Sequence, residues 1–172
     1  VLTYEVFAQI IGVIASALII GSFAQKSDKN FKIILIIGSL TFAAHFFLIG
    51  AFAGVIVNIL NSLRIACSMK FHKSTKIMLL FWGMYILTAV FIYNNFLDLL
   101  PILAGILGTY SNFKLSGIKM RLLELVGASS WLIYAILFKS IGGVITEVFV
   151  IATNLMTIYR LKRDVKVNFR NE

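Results

Sequence analysis

Residues 6–24 read VFAQIIGVIASALIIGSFA, an apolar stretch without a charged side chain. A membrane-crossing helix takes about 20 such residues, so this stretch is long enough to span a bilayer. A helix is favoured because backbone polar groups in lipid must be satisfied within their own segment. Runs such as residues 33–37 also lack the alternation that is typical of a membrane β-barrel. The stretch therefore predicts a transmembrane helix.

The composition of the chain points to a membrane protein. Of its 172 residues, 60% are apolar and 13% are charged, and the mean hydropathy is +0.95. Soluble domains are nearer half apolar and about a quarter charged, so a water-soluble globule is excluded. The single cysteine, Cys67, excludes a disulfide framework and a cysteine-based zinc site. Glu5, before the first stretch, argues against a cleaved signal peptide, whose first region is basic.

Seven apolar stretches are candidate spans, and together they predict an all-α integral membrane protein with short loops. They are residues 6–24, 33–49, 52–67, 77–93, 99–113, 122–138 and 141–159. Seven spans of this length leave no room for a separate soluble domain.

The basic residues cluster on one side of this topology. They lie between spans one and two, around the end of span three, between spans five and six, and after span seven, whereas Lys139 alone lies opposite. Because basic loops stay in the cytoplasm, we expect the N-terminus outside and the C-terminus inside. The net charge of +9 then reflects orientation and contacts with anionic lipid in the bilayer, and no nucleic-acid partner is expected.

An internal repeat relates spans five to seven to spans one to three. At an offset of 89 residues Gly38 falls on Gly127, and at an offset of 90 Phe23 falls on Phe113. A unit of three helices ends on the side opposite to its start, so two parallel units need one further crossing between them. Residues 77–93 supply that crossing, and the chain is predicted to follow a 3+1+3 plan with a site between the units.

This plan divides the chain into four parts. They are a first three-helix bundle in residues 1–69, a cytoplasmic loop and linker helix in residues 70–95, a second three-helix bundle in residues 96–159 and a basic cytoplasmic tail in residues 160–172. If the linker only restores orientation, it should pack beside one bundle and leave the space between the bundles to other helices.

Several motifs carry a resemblance to a known family. They are AQIIGVIA at residues 8–15, HFFLIG at 45–50, NSLR at 61–64 and SIGG at 140–143, with Glu147 and Asn154 after the last. On these motifs the chain resembles the YgjV-like inner-membrane proteins of bacteria, within the SWEET, SemiSWEET and PQ-loop superfamily. The resemblance implies a place in the bacterial inner membrane. The wider superfamily implies sugar transport, although it also includes peptide-binding cargo receptors.

The resemblance also implies substrate-binding residues. SWEET-like proteins carry an Asn on the third helix of each unit, facing the central cavity, and Asn58 and Glu147 stand at the matching positions. Trp131 matches a Trp near the outer end of the second helix. The chain departs from the pattern at Ala24-Gln25, where SWEET-like chains have the Pro-Gln that is thought to act as a hinge.

The polar residues of spans three and seven extend this candidate site. An ionised carboxylate in hydrocarbon is costly, so Glu147 is expected to face a cavity or a partner unless it lies at the interface. Asn61 shares a helix face with Asn58, and Asn154 shares one with Glu147. These amides could equally serve helix packing. With the Glu147 carboxyl in one unit and the Asn58 amide in the other, the site is chemically asymmetric. This asymmetry would allow proton coupling or binding of a cationic solute.

Other polar residues have two interpretations each. His45 could titrate near neutrality in the site or pack between helices. Trp131 could stack on a sugar ring or anchor the helix at the interface. Arg64 is expected to snorkel to the cytoplasmic surface, and Glu124, near Arg121, is expected at the interface.

The chemistry of these residues favours transport over catalysis. The sequence shows no nucleotide loop, metal-ligand cluster or paired carboxylates, so we expect no catalytic residue, cofactor or metal ion. We therefore interpret the chain as a transporter that moves a small polar, sugar-like solute by alternating access. The alternative is a non-transporting membrane receptor or binding protein of the same fold. The sequence also allows a homo-oligomer.

The charge asymmetry predicts the topology. Reporter fusions at Asn95 and at Glu172 should report opposite sides of the membrane, because three spans separate these positions. Fusions that report the same side would show that the seven-span count is wrong.

Overall fold

The computed structural model describes residues 4–49, 52–92, 96–137 and 141–168, which form seven α-helices and one 3₁₀ turn at Phe96–Asp98. The helices are α1 (Tyr4–Phe23), α2 (Asp28–Leu48), α3 (Phe52–Lys70), α4 (Thr75–Ile92), α5 (Leu99–Lys114), α6 (Gly117–Leu137) and α7 (Ile141–Asn168). Each candidate span corresponds to one helix, so the all-α class is confirmed. Lys139, Asn95 and Glu172, on which the topology prediction depends, lie outside the described residues.

The lengths of these helices suit a membrane. Four stretches of the described chain are long and apolar enough to cross one, namely Val6–Phe23, Asp28–Leu48, Gly117–Leu137 and Gly143–Val165, while Thr75–Phe91 is apolar but shorter. Large apolar side chains such as Val13, Val90 and Phe91 point outward and are 70–80% exposed. A water-facing surface rarely carries extended apolar patches, so these faces are suited to lipid. The seven-span count stays a prediction.

Two helices begin five residues before the predicted spans. Span two was predicted from residue 33 and span six from residue 122, whereas α2 begins at Asp28 and α6 at Gly117. Ser27 caps α2 because its hydroxyl accepts a hydrogen bond from the Asn30 N–H, and Asp28 in the first turn favours the positive end of the helix dipole. Lys32 and Arg121, which the sequence places in loops, therefore lie within helices.

The predicted tail is also partly helical. Residues 160–168 continue α7 without a break, and the division of the chain into a bundle and a basic cytoplasmic tail at residue 160 stays a prediction. Arg160 donates a hydrogen bond to the Ala24 carbonyl over 3.1 Å, and Asp164 forms an ion pair with Lys26 over 2.5 Å. These contacts hold the end of α7 against the connection between α1 and α2.

The helices pack in two sets. The first helix set is α1–α3, packed in succession, and the second helix set is α5–α7, packed likewise. The α4 helix packs chiefly on α5, and the two sets meet where α1 contacts α7 and α3 contacts α5. Both sets contribute to one apolar core of Phe23, Phe31, Leu35, Ile65, Met120, Ala128 and Val150. A repeat of two parallel units stays a prediction.

Three connections and the end of α7 lie together, and we call this part of the molecule the basic end (residues 24–27, 71–74, 115–116 and 160–168). The Lys73 N–H donates to the Phe113 carbonyl over 2.9 Å, which joins the second connection to the end of α5. The Gly117 N–H donates to Asp28 Oδ2 over 2.6 Å, which joins the first connection to the third.

The linker helix α4 reaches the contact between the two sets. Tyr85 is buried, its ring lies against Gly105, and its centroid is 5.9 Å from Cζ of Arg64. Trp82 donates from its indole nitrogen to the Ile106 carbonyl over 3.0 Å. The linker packs chiefly on α5, but Tyr85 enters the region between α3 and α5, which contradicts the expectation that the linker leaves the space between the bundles to other helices.

We predict that Gly105→Ala destabilises the protein by about 1–3 kcal/mol, because the added Cβ overpacks the contact. That Cβ would lie 2.6 Å from Cδ1 of Tyr85. Gly83→Ala in α4 is the matched control, because a Cβ there meets nothing within 4 Å. Removing a helical glycine should stabilise α4 by up to about 1 kcal/mol. Thermal unfolding in detergent measures both, and equal unfolding temperatures would contradict the close packing of α4 on α5.

Candidate functional site

The described residues contain a buried polar network where the two helix sets meet. Its side chains come from α2, α3, α5, α6 and α7, and most are nearly inaccessible to solvent. The members are Asp28, Lys32, Ser39, Asn61, Arg64, Asn112, Arg121, Glu124 and Asn154. Polar and charged groups within membrane proteins are rare and commonly functional, so this network is the candidate site.

Arg121 on α6 is the largest fully buried side chain of the network, with 0% of its surface exposed. Its Nη2 donates to the Gln25 carbonyl over 3.1 Å and lies 3.7 Å from Asp28 Oδ1. Cζ lies 3.8 Å from the centroid of the Phe31 ring, a cation–π distance. Asn154 on α7 donates to the backbone carbonyl of Arg121 over 2.9 Å, which positions this turn of α6.

Lys32 and Glu124 meet through Asn112 near the end of α5. Lys32 Nζ donates to the Asn112 carbonyl over 2.7 Å, so a buried ammonium on α2 contacts α5. The Asn112 side-chain amide donates to both the Gly108 carbonyl and Glu124 Oε1, each over 2.8 Å. This connects α2, α5 and α6. The prediction that Glu124 lies at the interface beside Arg121 is wrong, because its carboxylate belongs to the network.

Arg64 does not snorkel, contrary to the prediction. Only 5% of the residue is exposed, and its guanidinium donates to Asn61 Oδ1 and, over 3.3 Å, to the Gly105 carbonyl. Asn61 in turn donates to the Ser39 hydroxyl over 3.0 Å. The chain of contacts therefore runs from α2 through α3 to α5, with the guanidinium near the Tyr85 ring of α4.

The end of α1 depends on the second helix set for its hydrogen bonds. The last carbonyls of a helix have no partner within it. The carbonyls of Phe23, the last residue of α1, and of Ala24 and Gln25 after it accept from Thr157, Arg160 and Arg121 respectively, over 2.8–3.1 Å. In the same way, Lys32 donates a hydrogen bond to the Asn112 carbonyl in the last turn of α5. Each set thus supplies a cation to the end of the other set's first helix, where the helix dipole is negative.

Lys32 and Arg121 stand 89 residues apart, which is the offset of the internal repeat. Sequence reasoning missed both because charge assigned them to loops. The internal repeat could have identified both residues, because it aligns Lys32 with Arg121 after the corresponding connection of each unit. Asn112 carried no comparable signal, because its contacts with Lys32 and Glu124 depend on helices that only packing brings together.

Several polar atoms of the network have no hydrogen-bond partner among the described residues. The donors are Nε of Arg64 and both Nε and Nη1 of Arg121, and the acceptors are Oδ1 of Asp28, Asn112 and Asn154. Each unsatisfied buried group costs about 1–3 kcal/mol. The network therefore depends on the packing around it for stability and contributes less stability than it receives.

The structure separates the predicted substrate residues. Asn61 and Asn154 belong to the network, where both serve packing contacts. Asn58 and Glu147 are half-buried and each lies six residues after the start of its helix, on α3 and α7. No hydrogen bond or ion pair from a described side chain reaches the Glu147 carboxylate. Their role as a pair stays a prediction.

The other two predicted residues lie elsewhere. His45 packs between α2 and α1, with Nδ1 2.8 Å from the Ala8 carbonyl and a ring that leaves no space for a Cβ at Gly12. Trp131 is 37% exposed and its ring meets Tyr134 edge-on, with centroids 5.9 Å apart. These contacts of His45 and Trp131 do not involve residues of the network. A substrate role for the two residues stays a prediction.

The helical architecture and its lipid-suited faces define an all-α membrane protein with charges buried between two helix sets. The chain belongs to the family described as "Bacterial inner membrane protein" (Imp-YgjV), which it matches over residues 6–165. It is similar to the inner membrane protein YgjV of Escherichia coli (strain K12), with 28% identity over 159 residues, or 92% of this chain and 86% of that relative. No solved structure matches it. The resemblance to YgjV-like proteins is confirmed, and kinship with SWEET and PQ-loop proteins stays a prediction.

We predict that Arg121→Ala destabilises the protein by about 3 kcal/mol or more, because it leaves the partners of a buried cation unsatisfied. The Gln25 carbonyl and the Asp28 carboxylate would both lose their contact with the guanidinium. Lys119→Ala on the same helix is the matched control, since Lys119 is exposed and should change stability by less than about 0.5 kcal/mol. Chemical unfolding in detergent measures both, and equal effects would contradict a structural role for Arg121.

Proposed function

We propose that this protein is a transporter of a small polar solute, working by alternating access between the two helix sets. The observation that carries the proposal is the buried polar network with its cations and unsatisfied donors, placed where the sets meet. Charged groups within membrane helices commonly mark a solute or ion pathway. Lipid-facing helices that served only as an anchor would have no need for them.

In this proposal the sets are two parallel three-helix units of a 3+1+3 repeat, with α4 as the linker and seven membrane crossings. The order of packing within each set and the reciprocal cations Lys32 and Arg121 support this arrangement. The solute site lies between the units, as in other transporters that are built from repeats. The basic end faces the cytoplasm, which follows from the positive-inside rule.

The solute site lies nearer the opposite end than the network does. Asn58 and Glu147 each stand six residues into their helix from that end, which is about 9 Å along the axis. The two residues therefore sit at similar depths in the two units. An amide and a carboxylate at this depth would bind hydroxyl groups of a sugar-like solute, and Trp131 would supply an apolar face for its ring.

The cross-set contacts at the basic end act as the closed cytoplasmic gate. The ion pair between Lys26 and Asp164 and the bond from Arg160 to the Ala24 carbonyl join α1 to α7. Opening this end requires these contacts to break while those within each set persist. Because the exposed pair is worth no more than about 1 kcal/mol, the outer part of the gate can open readily.

We predict that holding the basic end closed abolishes transport. In a Cys67→Ser background, Lys26→Cys and Asp164→Cys are linked by a short bifunctional thiosulfonate that dithiothreitol removes. Proteoliposomes are tested for osmotic swelling with glycerol, glucose and sucrose. Linking should reduce the flux of the transported solute to that of protein-free liposomes, and reduction should restore it.

The matched control is a link within the first helix set. Tyr4→Cys and Leu48→Cys join α1 to α2, whose contact at that end is a hydrogen bond from the Tyr4 hydroxyl to the Leu48 carbonyl over 2.8 Å. This link should leave flux unchanged. Unchanged flux with the Lys26–Asp164 link would contradict the gate. Binding of a solute without any flux would replace the transporter by a non-transporting receptor of the same fold.

A further inference from the structure

A cleft opens at the basic end beside the network. It has a volume of about 420 Å³ and lies between the start of α2, the end of α3 and the connection between α5 and α6. Its polar lining includes Lys29, Lys32, His72 and Ser116. The cleft therefore brings two lysines of α2 and a histidine from the connection after α3 to one concave surface.

Lys32 is the innermost of these groups. The residue is 6% exposed, and its Nζ makes a hydrogen bond to the Asn112 carbonyl over 2.7 Å. An ammonium has three donors, so this carbonyl leaves donor capacity unused. Among the described residues no carboxylate lies within ion-pair distance of this Nζ. A buried charge without a counter-ion is costly, and such charges are usually paired.

The two nearby carboxylates are engaged elsewhere. Asp28 also lines the cleft, but its Oδ2 accepts from the Gly117 N–H and its Oδ1 faces Arg121 at 3.7 Å. Glu124 accepts from the Asn112 amide. The buried cations Lys32, Arg64 and Arg121 outnumber these two acids. The excess positive charge thus has no counter-ion within the described chain at the place where the cleft gives access.

We propose that this cleft binds a small oxyanion, a carboxylate or a phosphate, whose oxygens accept hydrogen bonds from Lys32 and Lys29. Charge-assisted hydrogen bonds of this kind are stronger than those between neutral groups. The source of the anion is a free solute or the phosphate of a lipid headgroup at the membrane surface. The site is independent of the proposed transport, because binding can be measured without flux.

His72 gives the binding a pH dependence. Partial burial lowers the pKa of His72, and the neighbouring Lys32, Lys73 and Lys114 lower it further, against the opposing charge of Asp28. His72 in the empty cleft is therefore neutral above that lowered pKa. A bound anion adds negative charge beside His72 and favours the protonated imidazole, against the positive charge of Lys29 on the cleft wall. Binding should take up a proton, so the affinity should rise as the pH falls through the pKa of His72.

The test uses the purified full chain in detergent at constant ionic strength. Sodium phosphate and sodium acetate are the probes, titrated by calorimetry and by their effect on thermal unfolding. Wild type should bind at least one of them. Lys32→Met and Lys29→Gln should each weaken that binding about tenfold, and His72→Gln should remove its pH dependence. Replacing a buried unpaired charge by an apolar side chain is commonly tolerated. If Lys32→Met nevertheless fails to fold, Lys29→Gln still tests the proposal, because Lys29 is exposed.

Lys76→Gln is the matched control, because Lys76 is an exposed lysine near the basic end that does not line the cleft. It should leave binding unchanged. Nanodiscs of phosphatidylcholine and of phosphatidylglycerol distinguish the two sources of the anion. If phosphate binds in phosphatidylcholine nanodiscs but not in phosphatidylglycerol nanodiscs, the lipid headgroup is the occupant. Equal phosphate binding in both kinds of nanodisc identifies a free anion.

Two results would overturn the proposal. One is the absence of binding by wild type to phosphate and acetate in detergent together with no stabilisation by phosphatidylglycerol. The other is an equal loss of binding in Lys76→Gln and Lys29→Gln. That result would show that anion binding depends only on the general positive charge of this surface. Neither result would bear on solute flux, so failure here leaves the transport proposal standing.

Discussion

The end of a helix leaves carbonyl groups without partners, and in a water-poor environment this constraint must be met by other parts of the chain. At the end of α1 the carbonyls of Phe23, Ala24 and Gln25 are met by side chains of the second helix set. The positions of α6 and α7 against α1 follow from this requirement. So does the burial of Arg121, since its guanidinium can reach the Gln25 carbonyl only from inside the contact between the sets.

The same constraint explains why costly charges are retained in the interior. A buried ion pair or network is often no more stabilising than apolar side chains of similar volume. Arg64, Lys32 and Arg121 nevertheless donate mainly to carbonyls and amides rather than to carboxylates. Such contacts select one register between helices and are lost as a group when the sets separate. The network therefore gives specificity to the contact at a cost in stability.

The sequence predicts the helices well because lipid imposes a simple rule on their composition. Apolar stretches mark all seven, and the motif resemblance identifies the family. The starts of α2 and α6 were missed because Lys32 and Arg121 were assigned to loops by their charge. Arg64 and Glu124 were misplaced for a related reason, since each was judged by its distance from a helix end and, for Glu124, by its nearness to Arg121 in sequence. Their true partners, Gly105 and Asn112, come from distant positions that only tertiary packing brings near.

The length of α7 gives the molecule a mechanical element. Its 28 residues extend about 42 Å, whereas the hydrocarbon core of a bilayer is about 30 Å thick. A helix of this length can extend beyond the core at the basic end, where its side contacts Lys26 and the Ala24 carbonyl. A displacement of this end of α7 would act through these two contacts on the turn between α1 and α2.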